Sequence, residues 1–361
     1  MKTFRLLLST FALGCFSASA QFSAGNLAVL RVGDGSTTLG GLGNNVSILE
    51  YTTGGGLANT YNIPSTGPNA IVLTGNATAE GALSLSSDGS LLTFAGYNTA
   101  PLGSGTLATS SGTTVPRAIV QLNSAGVSSI GSSSTTAFSA ASFRSAVSDG
   151  ANNYWGIGNG TGTLYFGNTA SSATLQSTLT VNRVMNMVNG NIFFGNGSAA
   201  TAGIYGFSGT PTGPATANTI ILTAGTGTGT ASPYDFAFNS AMTLAYIADD
   251  RTTANGGGIQ RWDLVGSTWT LSYTITSAGP VRGLAVDFSG LNPSLYATTT
   301  ETANNRLVKI VDTGAASGET DLASSGTVRA FRGVEFAPVP EPSVIALAAL
   351  GALAFIARRR N

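Results

Sequence analysis

The feature that most constrains the fold is a strand–turn–strand pattern that returns five times along the chain. In each copy an alternating apolar run ends in a small polar turn, and a second apolar or aromatic run follows within a few residues. Asp-Gly and Asn-Gly turns between such runs are strong β-hairpin signals. The five predicted hairpins lie at 81–96, 143–158, 183–195, 234–248 and 283–298.

Further strands follow most of these hairpins. We predict third strands at 117–122, 162–166, 203–207, 259–264 and 306–311, and fourth strands at 174–180, 219–223 and 269–275. Four strands per unit, repeated every 40 to 60 residues or so, is the signature of a β-propeller. The repeat resembles the loosely defined quinoprotein-like and NHL-like propeller blades more than the WD type. This resemblance is generic and implies a fold without an activity.

The two ends of the repeat region are complementary. Segments 27–32, 46–51 and 71–73 look like second, third and fourth strands without a first, whereas 331–336 looks like a first strand without its hairpin partner. Pairing them would complete one blade from both ends and close the ring, which removes open sheet edges. We therefore predict six blades. A seventh is the alternative, because the long unit 81–136 has room for another hairpin.

Composition supports an all-β protein and excludes several kinds of chemistry. Only 9% of the residues are charged and 48 are glycine, which suits short strands and tight turns. A parallel β-helix, the main rival fold, would repeat every 20 to 25 residues or so, and no such period is present. The chain has no histidine and a single cysteine, which argues against zinc, haem, Ser-His-Asp and Cys-His sites. We expect neither a metal nor a cofactor.

The N-terminus predicts export. Lys2 and Arg5 precede an apolar run at 6–16, and small residues follow up to Ala20, which is typical of a signal peptide. We predict residues 1–20 as the signal peptide, with cleavage between Ala20 and Gln21. A lipoprotein site at Cys15 is the alternative. Over 21–338, eleven basic residues face fifteen acidic ones, a mild balance that argues against a nucleic-acid partner.

The C-terminal segment 339–361 combines three features in a fixed order. They are Pro340-Glu341-Pro342, an uncharged run at 343–357, and Arg358-Arg359-Arg360. This segment resembles the PEP-CTERM sorting signal. The resemblance implies recognition by an exosortase, a membrane enzyme thought to cut near Pro-Glu-Pro, in a Gram-negative-type bacterium that exports a polysaccharide matrix. An ordinary C-terminal anchor is the alternative.

The uncharged run also predicts a membrane segment. As a helix, 343–357 would span about 22 Å, less than the roughly 30 Å of a bilayer core, so it would anchor the chain only marginally. The arginine cluster favours a cytoplasmic end. We therefore predict an exported domain at 21–338, anchored transiently in the inner membrane and then found at the cell surface or outside the cell.

Ligands of propellers commonly bind where the innermost strands begin. Four of those strands open with Arg144, Arg183, Arg282 and Arg332, a set that would suit an acidic polysaccharide or another anion. The alternative is that each arginine pairs with a carboxylate of the neighbouring blade and only stabilises the ring. Other candidates are calcium ligands among Asp249, Asp250, Asp263 and Asp287, and sugar-stacking faces on Tyr154, Trp155, Trp262 and Trp269.

These observations predict a non-catalytic scaffold or binding protein linked to exopolysaccharide or biofilm. Its partners would be an exosortase, the export machinery, the membrane before processing, and a polysaccharide ligand. The alternative is an extracellular propeller enzyme of lactonase or polysaccharide lyase type. Such an enzyme needs carboxylates or a metal in the channel, and Glu80, Asp235 and Glu335 are the carboxylates near the channel-starting strands.

Overall fold

A computed structural model describes residues 21–167 and 172–339. Within these residues the chain forms six antiparallel sheets of four strands each, arranged as the blades of a propeller. Two short 3₁₀ helices, Ala199–Thr201 and Thr253–Asn255, lie in loops. The predicted six-bladed propeller is confirmed.

The strands follow the blades in chain order. Blade 1 contains β1 (Leu27–Val32), β2 (Val46–Tyr51) and β3 (Leu57–Asn62). Blade 2 contains β4 (Ser84–Leu85), β5 (Leu91–Tyr97), β6 (Arg117–Asn123) and β7 (Ser128–Ser134). Blade 3 contains β8 (Phe143–Ser148), β9 (Tyr154–Gly158), β10 (Thr163–Tyr165) and β11 (Ala173–Gln176).

The second half repeats this plan. Blade 4 contains β12 (Asn182–Val188), β13 (Asn191–Asn196), β14 (Gly203–Gly206) and β15 (Asn218–Leu222). Blade 5 contains β16 (Pro233–Phe238), β17 (Leu244–Asp249), β18 (Gly258–Val265) and β19 (Thr268–Ile275). Blade 6 contains β20 (Val281–Asp287), β21 (Ser294–Thr299), β22 (Arg306–Val311) and β23 (Glu319–Ser324). The last strand is β24 (Ala330–Phe336).

The ring closes as predicted. Strand β24 pairs antiparallel with β1, with Leu27 opposite Phe336 and Val32 opposite Ala330, so blade 1 takes its innermost strand from the end of the domain. Closure lets every blade face pack against a neighbour. The described residues accordingly form six apolar clusters, one between each pair of adjacent blades. Apolar burial between blades is therefore the main force that holds the ring.

The outermost strands differ from the prediction. The fourth strand of blade 1 is Leu57–Asn62, whereas the predicted segment 71–73 makes only isolated bridges with Asn44 and Tyr97. Strands β7 and β23 were not predicted. These strands lie at the rim, where one face contacts solvent, and they are polar. Ser128–Ser134 has one aliphatic side chain, and no residue of Glu319–Ser324 is buried. They carry too few apolar residues to show a period of two.

The long second unit holds a loop, and the ring has six blades. Residues 98–116 connect β5 to β6 without forming a named strand. Arg117 fixes this loop from within, since its fully buried guanidinium donates to the carbonyls of Val115 at 2.6 Å and Ser110 at 3.0 Å. It also lies over the Tyr97 ring at 5.1 Å. A buried arginine that saturates loop carbonyls explains how a long polar insertion stays ordered.

The propeller has two faces. The six innermost strands (β4, β8, β12, β16, β20 and β24) begin at one face and end at the other. We name the first the arginine face, and the second, which the C-terminal segment leaves, the tail face. The predicted signal peptide 1–20 and the segment 340–361, with its predicted helix and arginine cluster, lie outside the described residues. Nowhere in 21–167 or 172–339 is there a helix long and apolar enough to cross a membrane.

Candidate functional site

The site candidate is a depression at the arginine face, which we name the arginine mouth. It is a half-open cavity with a free volume of about 20 Å³, enough for about one water molecule. Its walls come from the starts of the innermost strands, including Tyr234, Asp235, Arg282 and Arg332, and from Glu80 in the loop before β4. The predicted binding end of the channel thus contains a narrow cavity that opens at the arginine face.

The four predicted arginines form one connected group around this mouth. The Tyr234 ring links two of them, because the Arg183 guanidinium lies 4.7 Å from its centroid and that of Arg282 lies 5.1 Å away. Arg183 also donates to the Tyr234 hydroxyl at 2.9 Å. Arg144 lies next to Arg183, and Arg332 next to Arg282, close enough for each neighbour to lower its pKa. The fold therefore gathers four cationic side chains at one place.

The contacts of these arginines differ from the alternative in which each arginine pairs with a carboxylate of the neighbouring blade. Arg282 does pair with a carboxylate of the neighbouring blade, donating to Asp250 Oδ2 at 2.7 and 2.9 Å. Arg144 instead donates to the Asn182 carbonyl at 2.9 Å, and Arg332 to the Gly75 carbonyl at 2.7 Å. Within the described residues neither these two nor Arg183 forms an ion pair, and the Nε atoms of all three are buried without a hydrogen-bond partner. Mutual ion pairing explains only one of the four arginines.

Burial makes this arrangement costly. It is the main cause that lowers the pKa of Arg144 and of Arg332 to about 10, and the neighbouring arginine adds to the effect in each case. A buried cation without a counterion is among the most expensive groups in a protein. An anion that entered the mouth would supply the missing partner.

Glu80 is a second carboxylate near this group, but its oxygens accept hydrogen bonds from other residues. It accepts hydrogen bonds from Thr74 Oγ1 and from the Tyr97 hydroxyl, both at 2.6 Å. Burial raises the pKa of Glu80 despite these bonds. Its attraction reaches Arg144 and Arg332 only at a distance, and none of the ion pairs among the described residues involves it. Glu80 therefore offsets the arginine charge only in part.

A second, larger depression opens at the tail face, and we name it the tail mouth. It has a free volume of about 440 Å³ and is lined by the ends of the innermost strands, among them Val188, Phe238 and Phe336. Glu335 lies on its wall and accepts a hydrogen bond from the Phe336 amide at 2.7 Å. Glu335 is partly exposed to the depression. Removal of water from its carboxyl by the surrounding protein nevertheless raises the pKa of this group to about 8.

A polar layer separates the two mouths. Ser84 Oγ lies 2.5 Å from the Met185 carbonyl and 2.9 Å from Asn186 Oδ1, so β4 reaches β12 across the axis. Asn186 Nδ2 donates to Asp235 Oδ1 at 2.9 Å, and the Leu284 amide donates to the other oxygen at 3.0 Å. Burial raises the pKa of Asp235 to about 7. This hydrogen-bonded partition therefore divides the channel into two separate depressions.

The other predicted sites are dispersed. Asp249 pairs with Arg251 at 2.9 Å, Asp263 pairs with Arg261 at 3.0 Å, and Asp287 accepts from the amide of Ser289. Throughout the described ranges, no three His, Cys, Asp or Glu residues lie close enough together to hold a metal ion.

Most of the aromatic residues predicted to stack on sugars pack inside the ring. Tyr154, Trp155 and Trp262 are buried between blades, and only Trp269 is part-exposed. Sequence reasoning did not assign Tyr234 to the site. Its position directly before Asp235 at the start of an innermost strand, in line with the arginines of the other blades, was the available signal.

Comparison with known proteins identifies the C-terminal segment. The PEP-CTERM protein-sorting motif matches residues 338–360. This match indicates that the chain is exported and sorted by an exosortase. No curated protein matches the sequence.

Solved structures resemble the propeller. TolB from Acinetobacter baumannii is 10% identical, with a TM-score of 0.53 over 89% of this chain and 68% of that chain. A nidogen/laminin complex chain is 11% identical, with a TM-score of 0.52 over 86% and 98%. A periplasmic gluconolactonase from Pseudomonas aeruginosa is 10% identical, with a TM-score of 0.49 over 87% and 100%. At such identities the likeness shows the fold alone, and this chain is a six-bladed β-propeller that carries a PEP-CTERM sorting motif.

Proposed function

We propose that the protein is a surface or extracellular-matrix protein whose propeller binds an acidic polysaccharide without catalysing a reaction. Export and exosortase sorting bring the propeller to the place where such polymers are found. The observation that carries the binding role is the arginine mouth, where Arg144, Arg183 and Arg332 lack carboxylate partners. Biofilm is the setting that this proposal implies.

The geometry of the mouth suits one anionic group. Guanidinium groups recognise carboxylates and sulfates through paired, charge-assisted hydrogen bonds. The part-exposed Arg183 and Arg282 flank Tyr234, so a single carboxylate or sulfate could contact both guanidinium groups from outside. The free volume of the mouth is about 20 Å³, too small for a sugar ring. The acidic group of a chain end or a side branch would therefore contact the mouth, while the sugar rings would remain outside.

The test is titration calorimetry with a uronic acid trisaccharide, at low salt. We expect binding by the wild-type chain and at least tenfold weaker binding by Arg332→Gln and Arg183→Gln, a loss of about 1.4 kcal/mol. Arg306→Gln is the matched control, because Arg306 already pairs with Glu319 at 2.9 Å and Asp321 at 2.6 Å on the outer strands. A trisaccharide with its carboxyls reduced to alcohols should not bind.

Equal affinity for the acidic and the reduced trisaccharide would exclude recognition of charge. Unchanged affinity in both arginine variants, once thermal unfolding shows that they are folded, would exclude the arginine mouth. Part-exposed Arg183 keeps the test interpretable if the buried Arg332 variant fails to fold.

An extracellular enzyme of lactonase or lyase type is the second candidate. The observation in its favour is that Asp235, in the partition, and Glu335, on the wall of the tail mouth, have pKa values raised mainly by burial to about 7 and about 8. Perturbed carboxyls in a channel are characteristic of catalytic sites, although structural groups share the property. Calcium titration tests this candidate. A rise in melting temperature that Asp235→Ala or Glu335→Ala abolishes would favour it, and no rise would remove its best support.

A further inference from the structure

The C-terminal segment leaves the propeller beside the tail mouth. After β24, the Ala337 amide donates to the Asn26 carbonyl at 2.8 Å, and the Val339 amide donates to the Gly89 carbonyl at 3.0 Å. Gly89 belongs to the turn between β4 and β5 and lines the tail mouth. Both bonds hold the last described residues against the tail face.

Only three residues, 340–342, separate Val339 from the uncharged run at 343–357. Fully extended, they reach about 10 Å. We propose that the tail face lies against the lipid bilayer while the chain is tethered through this run, and that the arginine mouth points away from the membrane. Strands of six or seven residues would place the two faces about 20 Å apart. The arginine mouth would then be open to ligands before any cleavage occurs.

The distribution of exposed apolar side chains agrees with this orientation independently of the tail. Of the eight large apolar side chains exposed in the described part of the chain, Leu42 and Leu222 lie at the arginine face. The other six lie at strand ends or turns of the tail face: Leu57, Val127, Val265, Leu291, Val311 and Val339. Leu291 is fully exposed. Apolar side chains around the rim of one face are suited to the apolar boundary of a bilayer.

Charge distribution shows that this orientation would not arise from adsorption to anionic lipid. Every basic residue of the described chain except Arg261 and Lys309 lies in the half of the blades nearest the arginine face. The turns of the tail face contain no Lys or Arg, whereas Asp88 and Asp149 lie in them. An untethered propeller would therefore approach anionic lipid with its arginine face. The short tether reverses this preferred orientation, because it holds the tail face next to the membrane.

The experiment uses single-cysteine labelling, since the chain from Gln21 to Asn361 contains no cysteine. An environment-sensitive dye is attached to Leu291→Cys on the tail face or to Leu222→Cys on the arginine face. Each labelled chain is reconstituted into zwitterionic vesicles that contain lipids with nitroxide-labelled headgroups. We expect at least twofold stronger quenching at residue 291 than at residue 222. Equal or reversed quenching would overturn the proposal, and so would failure of the chain to float with the vesicles.

A second variant tests the tether itself. Twenty Gly and Ser residues inserted between Val339 and Pro340 would give a connection with a root-mean-square length of about 25 Å. We expect the quenching difference between the two positions to disappear. A difference that survived the insertion would overturn the short connection as its cause. Neither readout depends on anion binding, so the two proposals fail separately.

Discussion

The arginine mouth and the tail mouth differ in the kind of polar group that lacks a partner. At the first, three guanidinium groups have no carboxylate partner among the described residues, and at the second the Glu335 carboxyl has no cationic partner. Arg332 and Glu335 lie three residues apart on β24, about 10 Å along the strand. The partition of Ser84, Asn186 and Asp235 lies between the mouths.

This difference teaches that the fold leaves unpartnered groups at both ends of its axis but in different states. The arginine mouth keeps cations without carboxylate partners, whereas the tail mouth keeps a carboxyl whose raised pKa favours the protonated, neutral form. Only the arginine mouth therefore has a strong field of its own. The two mouths depend on different forces, which substitutions can distinguish.

The largest expected effect concerns the packing that supports the arginine mouth. A Cβ atom at Gly333 would lie 2.3 Å from the Leu83 amide nitrogen and 2.8 Å from the Gly81 carbonyl oxygen. Both contacts are with backbone, so Gly333→Ala must push blade 1 away from blade 2. We expect the free energy of unfolding to fall by about 2 to 3 kcal/mol in urea titrations.

Gly103→Ala is the control for this prediction, because a Cβ atom at Gly103 would meet nothing within 4 Å. It should leave the free energy of unfolding unchanged within about 0.5 kcal/mol. Equal destabilisation by both substitutions would mean that the close approach of blades 1 and 2 does not limit stability.

The next effect concerns the tail mouth and depends on pH. A carboxyl whose pKa is higher in the folded than in the unfolded chain binds its proton more tightly when folded. The Glu335 carboxyl, with an ordinary pKa of 4.5 and a folded value of about 8, therefore stabilises the fold fully below pH 4.5, and this contribution is lost as the pH rises to about 8. We expect a loss of about 2 kcal/mol between pH 5 and pH 9, less than the two pKa values alone would give, because solvent screens this part-exposed carboxyl.

Glu335→Gln should make this dependence shallower, because a glutamine keeps an acceptor for the Phe336 amide and has no proton to lose, while the dependence that Asp235 contributes remains. Urea titrations at pH 5, 7 and 9 measure the change. Glu301→Gln, at an exposed position near the arginine face, should retain the wild-type slope. Parallel slopes for Glu335→Gln and the wild-type chain would show that this carboxyl is ionised in the folded protein.

Much of the fold could be predicted, because the inner hairpins carry strong local signals. Turns such as Asp88-Gly89 and Asn189-Gly190 lie between runs that are buried on both faces, so turn chemistry and hydrophobicity agree. Outer strands such as Ser128–Ser134 are polar and partly exposed to solvent, and they lack both the turn signal and the hydrophobic signal. Their place in the sheet is decided by hydrogen bonding to the third strand, which sequence alone does not reveal.

The positions of the arginines could also be predicted, but their partners could not. The repeat places Arg144, Arg183, Arg282 and Arg332 at equivalent starts of innermost strands. Whether a carboxylate reaches them depends on loops from other blades. Asp250 reaches Arg282, whereas the oxygens of Glu80 are taken by Thr74 and Tyr97. Such contacts join residues far apart in sequence and follow no period.

The smallest expected effect concerns the surface of the tail face. Leu291 is fully exposed in the turn between β20 and β21, so it buries no area on folding. Leu291→Ser should therefore change the free energy of unfolding by less than about 0.5 kcal/mol. Leu222→Ser, at the half-exposed end of β15 on the opposite face, should cost about 1 kcal/mol because half of that side chain is buried. Urea titration of the chain in solution measures both. A loss above about 1 kcal/mol in Leu291→Ser would mean that this side chain packs against the ring in solution, and it would remove Leu291 from the surface that we assign to the membrane.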